Sequence, residues 1–183
     1  MLQAGIFIIL IGGCSRSGKS TLAKHLSANF RESRIDALVL NLDAWVIDVD
    51  KRKPDSTVLE RYDILEIASS IEQLLKGELI SPPVYDPVVR KKTGTGQPIG
   101  ISNGILVIEG VIALALPELL TKANLRIFVD IADLPRIKRL VSFYRDIKKL
   151  DARSYKQLIR AREAEEVPFI KSTRSQADIV HRY

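Results

Sequence analysis

The stretch Ile6-Phe7-Ile8-Ile9-Leu10-Ile11-Gly12-Gly13-Cys14-Ser15-Arg16-Ser17-Gly18-Lys19-Ser20-Thr21 decides how the rest of the chain is read. Ile6–Ile11 is a continuous apolar run, mostly β-branched, and suits the central strand of a parallel sheet buried on both faces. Gly13 to Ser20 fits G-x-x-x-x-G-K-[ST] without a mismatch, between a predicted strand and a predicted helix. The glycines let the turn curl, so successive backbone N–H groups converge on phosphate oxygens, and the helix that starts there adds its positive dipole end. Lys19 would reach the terminal phosphates of a nucleotide, and Ser20 would hold Mg2+. A glycine-rich turn that binds nothing would make Lys19-Ser20 a coincidence. A bacterial lipoprotein signal, which the apolar run before Cys14 superficially suggests, would open with positive side chains, and residues 1–5 contain no Lys or Arg.

Outward from this stretch the pattern alternates. Lys19–Asn29 places Leu22, Ala23, Leu26 and Phe30 at helical spacing, and Ala37–Leu42 is a second apolar run ending at Asp43, so strand, helix and strand form a parallel crossover unit. Residues 44–62 lack a period and read as a loop or short helical insertion. Ile64, Ile67, Ala68, Ile71, Leu74 and Leu75 make a helical stripe that stops at Gly77. Ser81–Thr95, rich in Pro and Gly, predicts an irregular or hairpin excursion beyond the main sheet. Ile105–Ile108 and Leu125–Val129 are further strands, Pro117 can start a short helix, and Ala177–Val180 offers a last strand.

The chain has 183 residues, 46% hydrophobic and 27% charged, which fits one domain with a real core. No stretch approaches the length of a membrane-spanning helix. The single cysteine, Cys14, cannot close an internal disulfide, so a reducing cytoplasm is the expected compartment. Of the net charge of +6, residues 136–160 carry +7, which leaves the rest at −1. This basic arm is helical by pattern and is expected to meet an anionic ligand rather than form a merely solvated face.

Two acidic residues end predicted strands, where open parallel sheets present their ligands: Asp43 and Glu109. Both could project into the crevice of the phosphate loop, the plainer alternative being a helix cap or turn. For Asp130 and Asp133 the cap, on a helix beginning at Pro135, is the better reading. Phosphoryl transfer needs phosphate charge neutralised, a metal fixed and an acceptor hydroxyl oriented in line, and Lys19, Ser20, Glu109, Asp43 and the basic arm form such a set.

Together with Gly12–Thr21, the landmarks Asp43-Ala44-Trp45, Pro83-Val84-Tyr85-Asp86, Leu106-Val107-Ile108-Glu109-Gly110, Phe128-Val129-Asp130, Arg145-Asp146 and Ala177-Asp178-Ile179-Val180 resemble those of the uridine kinase and phosphoribulokinase family in order and spacing. The resemblance implies a single P-loop NTPase domain over residues 1–183, an α/β three-layer fold of the nucleoside monophosphate kinase type. It has a mainly parallel central sheet, a helical lid at about 136–160 and an acceptor-site excursion at about 81–100. It implies an ATP-dependent kinase using Mg2+ and a small hydroxyl acceptor, with uridine the default. Gly13, Cys14, Ser15, Arg16, Ser17, Gly18, Lys19, Ser20 and Thr21 would bind the nucleotide, joined by Arg139 and Arg153 of the lid. Asp43 would serve as base, with Lys19 and Arg145 also catalytic. Ser20, Asp43 and Glu109 would hold the metal, and Tyr85 would pack on a nucleobase. No nucleic acid or membrane partner is implied, and homo-oligomers remain open.

The chain departs from that pattern in places. Uridine kinases usually show Asp-Ser-Phe-Tyr where Asp43-Ala44-Trp45-Val46 stands, and an Asp-His-Pro segment has no counterpart between Lys51 and Asp63. The histidine expected five residues after Tyr85 is Arg90, and Lys149-Leu150-Asp151-Ala152-Arg153 replaces the lid's Arg-Gly-Arg. These changes fall on acceptor recognition rather than on the ATP machinery. Arg90 only donates and matches a carboxylate or phosphate, so an acceptor bearing an acidic group is the alternative. A non-catalytic nucleotide-binding regulator is another. A GTPase switch is disfavoured because no D-x-x-G or N-K-x-D occurs, and a nucleic-acid binder because the arm offers only Phe143, Tyr144 and Tyr155 as aromatics.

Overall fold

The computed structural model describes residues 5–183; residues 1–4, which bear on the reading of a leader segment, lie outside it. β1 (Ile6–Gly12) is the middle strand of a five-stranded parallel sheet ordered β2-β5-β1-β6-β7. The other strands are β2 (Ala37–Asn41), β5 (Gly104–Glu109), β6 (Leu125–Asp130) and β7 (Ile179–Arg182). Strand alternation sorts the β1 side chains into two cores. Ile9 and Ile11 pack with Val107, Ile127 and Val129 against Ala23 of α1 (Lys19–Glu32). Ile8 and Leu10 join Leu40, Leu106 and Ile108 on the opposite face, under Ile67, Ile71 and Leu74 of α2 (Ile64–Leu75) and Val167 and Ile170 of α5 (Ala152–Ser172). The apolar run of β1 is therefore read correctly as doubly buried, and the fold is the expected three-layer α/β sandwich.

Between β2 and α2 the chain makes three 3-10 turns, Leu42–Trp45, Val49–Lys51 and Leu59–Arg61. The aperiodic stretch is an ordered insertion stapled by its one fully buried aromatic, Trp45. Asp63 caps α2, accepting from the Glu66 backbone N–H at 3.1 Å, and Pro117 opens α3 (Pro117–Lys122). The excursion is an antiparallel hairpin of β3 (Pro83–Asp86) and β4 (Lys91–Thr95), forming its own two-stranded sheet.

The basic arm is helical but broken. α4 (Asp133–Ser142) runs into a π-helical turn at Phe143–Ile147, and α5 starts afresh at Ala152, with Asp151 accepting from the backbone N–H of Arg153 at 2.9 Å and of Ser154 at 3.0 Å. One sequence expectation is corrected here: the helix begins at Asp133 rather than Pro135, and neither Asp130 nor Asp133 caps it, since the N-cap is Ala132. The Asp133 carboxylate instead meets Arg136 at 3.2 Å and Lys171 at 3.1 Å, and Asp130 meets Arg174 at 3.4 Å. No helix among the described residues is long and apolar enough to cross a membrane.

Arg136, 1% exposed, ties α4 to α5 by donating to Glu163 at 2.6 Å. Removing one partner of a desolvated pair strands the other charge. Arg136→Ala is therefore expected to lower the unfolding free energy by about 3 kcal/mol, whereas the double change Arg136→Met with Glu163→Leu should stay within about 1 kcal/mol of the native chain. Denaturant titration checks both.

Candidate active site

The register of the sheet assembles the site. Asn41 pairs with Glu109 and Glu109 with Ile11, so the residues following β2, β5 and β1 emerge side by side at the carboxyl ends of the strands. They floor a cleft of about 1080 Å³ whose walls are the 44–62 insertion, the hairpin and the α4–α5 arm.

The loop between β1 and α1 turns on two glycines in the left-handed region, Gly13 at φ 137° and Gly18 at φ 109°. A Cβ on Gly13 would lie 2.5 Å from the Val129 carbonyl oxygen. Gly18 occupies the N-cap of α1 without any side-chain cap, and no acidic residue stands in the first turn, so the leading N–H groups are left for an anion. Ser15, Arg16, Gly18, Lys19, Ser20 and Thr21 line the cleft, while Gly13, Cys14 and Ser17 form its buried back. The Ser17 hydroxyl is buried without a partner. Lys19, 7% exposed, donates from Nζ to the Cys14 carbonyl at 2.9 Å, which aims its ammonium along the loop. Burial pushes the Cys14 thiol up despite the neighbouring Arg136 and Lys19, so it is a packing residue rather than a thiolate.

Opposite the loop, Ser20 Oγ donates to Glu109 Oε1 at 2.8 Å. Glu109 is 3% exposed, and burial pushes its carboxyl up, opposed by Lys19 and Ser20, with Asp43 adding to the rise. A hydroxyl and a desolvated carboxylate held together, with a second carboxylate in range, suit a small divalent cation that takes its remaining ligands from phosphate and water. That fits Mg2+. Among the described residues no group of three or more His, Cys, Asp or Glu side chains could hold an all-protein site. Asp43 stands just past β2, its backbone N–H bonded to Asn41 Oδ1 at 2.8 Å and its carboxylate accepting from the Tyr62 hydroxyl at 3.3 Å. Burial, followed by the charge of Asp43, pushes the Tyr62 phenol well above its usual range.

The other expected residues divide. Tyr85 and Arg90 line the cleft, Tyr85 accepting from Arg52 Nη2 at 3.2 Å. Arg139 lines it too, and its guanidinium donates to the Arg16 carbonyl at 3.3 Å. Arg145 and Arg153 do not line it. Arg145 is turned outward, its Nε bonded to Asp146 at 2.6 Å and its side chain 62% exposed, and Arg153 is exposed at the start of α5. In this conformation neither reaches the cleft: the helix breaks between them, and both side chains are exposed.

Sequence reasoning missed four cleft residues. Tyr62 carried no signal. Arg162 lies two positions past the end assigned to the basic arm, and its partner Glu166 at 3.5 Å in i,i+4 spacing would have extended the arm. Phe143 and Tyr144 stand out in the sequence only as aromatics of the basic arm, yet both line the cleft and Arg16 stacks over Phe143 at 3.8 Å.

Comparison with known proteins completes the assignment. The family described as an AAA domain matches residues 9–166. A uridine kinase of Clostridium perfringens is 30% identical over 155 residues, covering 81% of this chain and 71% of that protein. The chain belongs to the uridine kinase family of P-loop proteins. A uridine kinase of Chlamydia pneumoniae is 28% identical over 98% of this chain and 83% of its own length. In fold, a candidate fructose transport system kinase of Silicibacter sp. TM1040 superposes with a TM-score of 0.78 at 19% identity, over 98% of this chain and 91% of that one. As a member of the uridine kinase family the chain is an ATP-dependent phosphotransferase with a hydroxyl acceptor. Its departures from the family pattern sort by place: Trp45 is wholly buried in the core and so does not contact an acceptor, whereas Arg90 faces the cleft.

Arg139 and Arg145 give a sharp contrast. Arg139→Ala is expected to raise the KM for ATP about tenfold, the worth of one charge-assisted hydrogen bond, and Arg145→Ala to change it by less than about twofold. Steady-state ADP release over an ATP series measures both.

Proposed function

We propose that the cleft transfers the γ-phosphoryl group of ATP to a hydroxyl that Asp43 deprotonates, with Lys19, Ser20 and Glu109 at the phosphate end. The observation that carries this reading is the Ser20–Glu109 hydrogen bond at 2.8 Å beside the buried Lys19 ammonium. A buried carboxylate facing a loop of N–H donors has no purpose in a site for phosphate alone. Mg2+, when bound, neutralises phosphate charge and orients the transferring group.

The residues divide the work. The Gly13–Thr21 loop and the first turn of α1 hold the phosphate chain through backbone N–H groups, and Lys19 follows the charge that develops on the transferred group. Ser20 and Glu109 would hold the metal, joined by Asp43, whose charge already acts on Glu109. Tyr62 keeps one Asp43 oxygen occupied, which leaves the other free to accept the proton of an incoming hydroxyl. Arg139 and Arg16 border the phosphates. Uridine is the acceptor that the names of the relatives suggest and the first to test, and the cytoplasm, where ATP is available, is the compartment proposed.

Lys19→Ala is expected to cut turnover by roughly a hundredfold or more while leaving the unfolding transition in place. Glu109→Gln should raise the Mg2+ concentration needed for half-maximal activity, and Asp43→Asn should depress turnover at every Mg2+ concentration. Both are read from coupled ADP release with uridine over a Mg2+ series. Full rescue of both variants by excess metal would contradict the division of roles.

A further inference from the structure

On the acceptor side of the cleft, three cations from three separate elements face one another. Arg90 comes from the turn of the β3–β4 hairpin, Lys148 from the end of the π-helical turn, and Arg162 from the middle of α5; all three line the cleft. The aromatic pair Phe143 and Tyr144, 5.6 Å apart between centroids, gathers two of them. Lys148 Nζ lies 5.5 Å from the Phe143 ring and 5.8 Å from the Tyr144 ring, and the Arg162 guanidinium lies 6.0 Å from Tyr144.

Their partners are too few. Arg162 has Glu166 at 3.5 Å, and the nearby Glu165 is taken by Arg61. Among the described residues neither Arg90 nor Lys148 forms an ion pair with any carboxylate. Asp86 is the acidic group that Lys148 feels, and its Oδ1 already accepts from the Val88 N–H at 2.6 Å. Burial, then Arg90 and Arg162, push the Lys148 ammonium down to about 8. Like charges brought together out of water cost free energy unless an anion joins them.

We infer that Arg90, Lys148 and Arg162 form an anion subsite for the acceptor, so that the molecule phosphorylated here carries, besides its reacting hydroxyl, a monophosphate or carboxylate group. The subsite belongs to the acceptor and not to ATP on two grounds. Arg90 stands on the hairpin that carries Tyr85, and Arg162 shares its surroundings with Asp43 and Tyr62, the proposed base and its partner, while Arg16 of the glycine loop meets the Phe143 ring at 3.8 Å and bounds the subsite on the phosphate side. Two planar guanidinium forks and one ammonium suit a tetrahedral or planar oxyanion. An uncharged nucleoside leaves Arg90 and Lys148 uncompensated. This inference rests on the kinase reading above and narrows its acceptor.

The test titrates ribose 5-phosphate, gluconate and uridine, each separately, into protein saturated with ADP and Mg2+, by calorimetry. At least one anionic probe is expected to bind more tightly than uridine, ribose 5-phosphate if the group is a phosphate and gluconate if it is a carboxylate. Arg90→Ala and Lys148→Ala should each weaken that binding about tenfold or more and move ADP affinity by less than about twofold, while Lys148→Arg should retain it. Tightest binding by uridine, untouched by either substitution, overturns the inference, and so does an equal loss of ADP affinity, which would assign the cations to the nucleotide. ADP binding with no binding of either anionic probe defeats the inference alone. Failure of the native protein to bind ADP defeats the kinase reading itself.

Discussion

The position of β5 between β2 and β1 is the constraint on which the rest depends. Had β2 paired directly with β1, Asp43 would neighbour the glycine loop and Glu109 would stand elsewhere. With β5 inserted, the pairing of Asn41 with Glu109 and of Glu109 with Ile11 puts a carboxylate at the middle of the floor, within reach of the first hydroxyl of α1. Gly110, which follows that carboxylate, lets Leu42 pack close: a Cβ there would meet the Leu42 Cβ at 2.8 Å. The chemistry of the floor is thus a result of strand order, enforced by backbone hydrogen bonds rather than by contacts among the polar groups themselves.

Electrostatics then divides the cleft into two ends of different character. At the phosphate end the innermost positive elements are backbone N–H groups, left uncapped behind two left-handed glycines, and one lysine, with Arg16 and Arg139 at the border. At the far end they are long side chains borne by the hairpin, the π-helical turn and α5. Backbone donors cannot be exchanged by substitution, but arginines and lysines can. Between the two stand Asp43 and Tyr62, both on the insertion after β2.

The sheet and the phosphate loop were legible in the sequence because each rests on a local pattern. Ile6–Ile11 reads as buried since every position is apolar, and Gly13–Ser20 reads as a phosphate cradle since its spacing admits few alternatives. Glu109 and Asp43 were legible from their places at strand ends. The arm was not, and the reason is physical. Nine basic residues within residues 136–160, a stretch of helical pattern, suggest a single lid, but Lys149 adopts φ 55° and Asp151 caps a new helix. The side chains of Arg145 and Arg153 therefore follow the break outward, while Arg162, farther along α5, faces the cleft. Tyr62 could not have been found, because its role depends on a 3-10 turn delivering a hydroxyl to a carboxylate nineteen positions earlier. Trp45 belongs to a departure that the sequence places at acceptor recognition, yet its ring is wholly buried and seals the insertion against the core.

The hairpin is fastened to the body by a small clasp. The Asp48 carboxylate accepts from the Lys92 N–H at 2.7 Å, Asp50 pairs with Lys91 at 2.7 Å, and the Val49 N–H donates to the Arg90 carbonyl at 3.1 Å. All of these bonds lie between two surface segments, and none reaches the parallel sheet. The hairpin is consequently modular with respect to the sheet that carries the glycine loop: its sequence can vary while Asp48 and Asp50 keep their partners, with the folding core under no obligation to change in step.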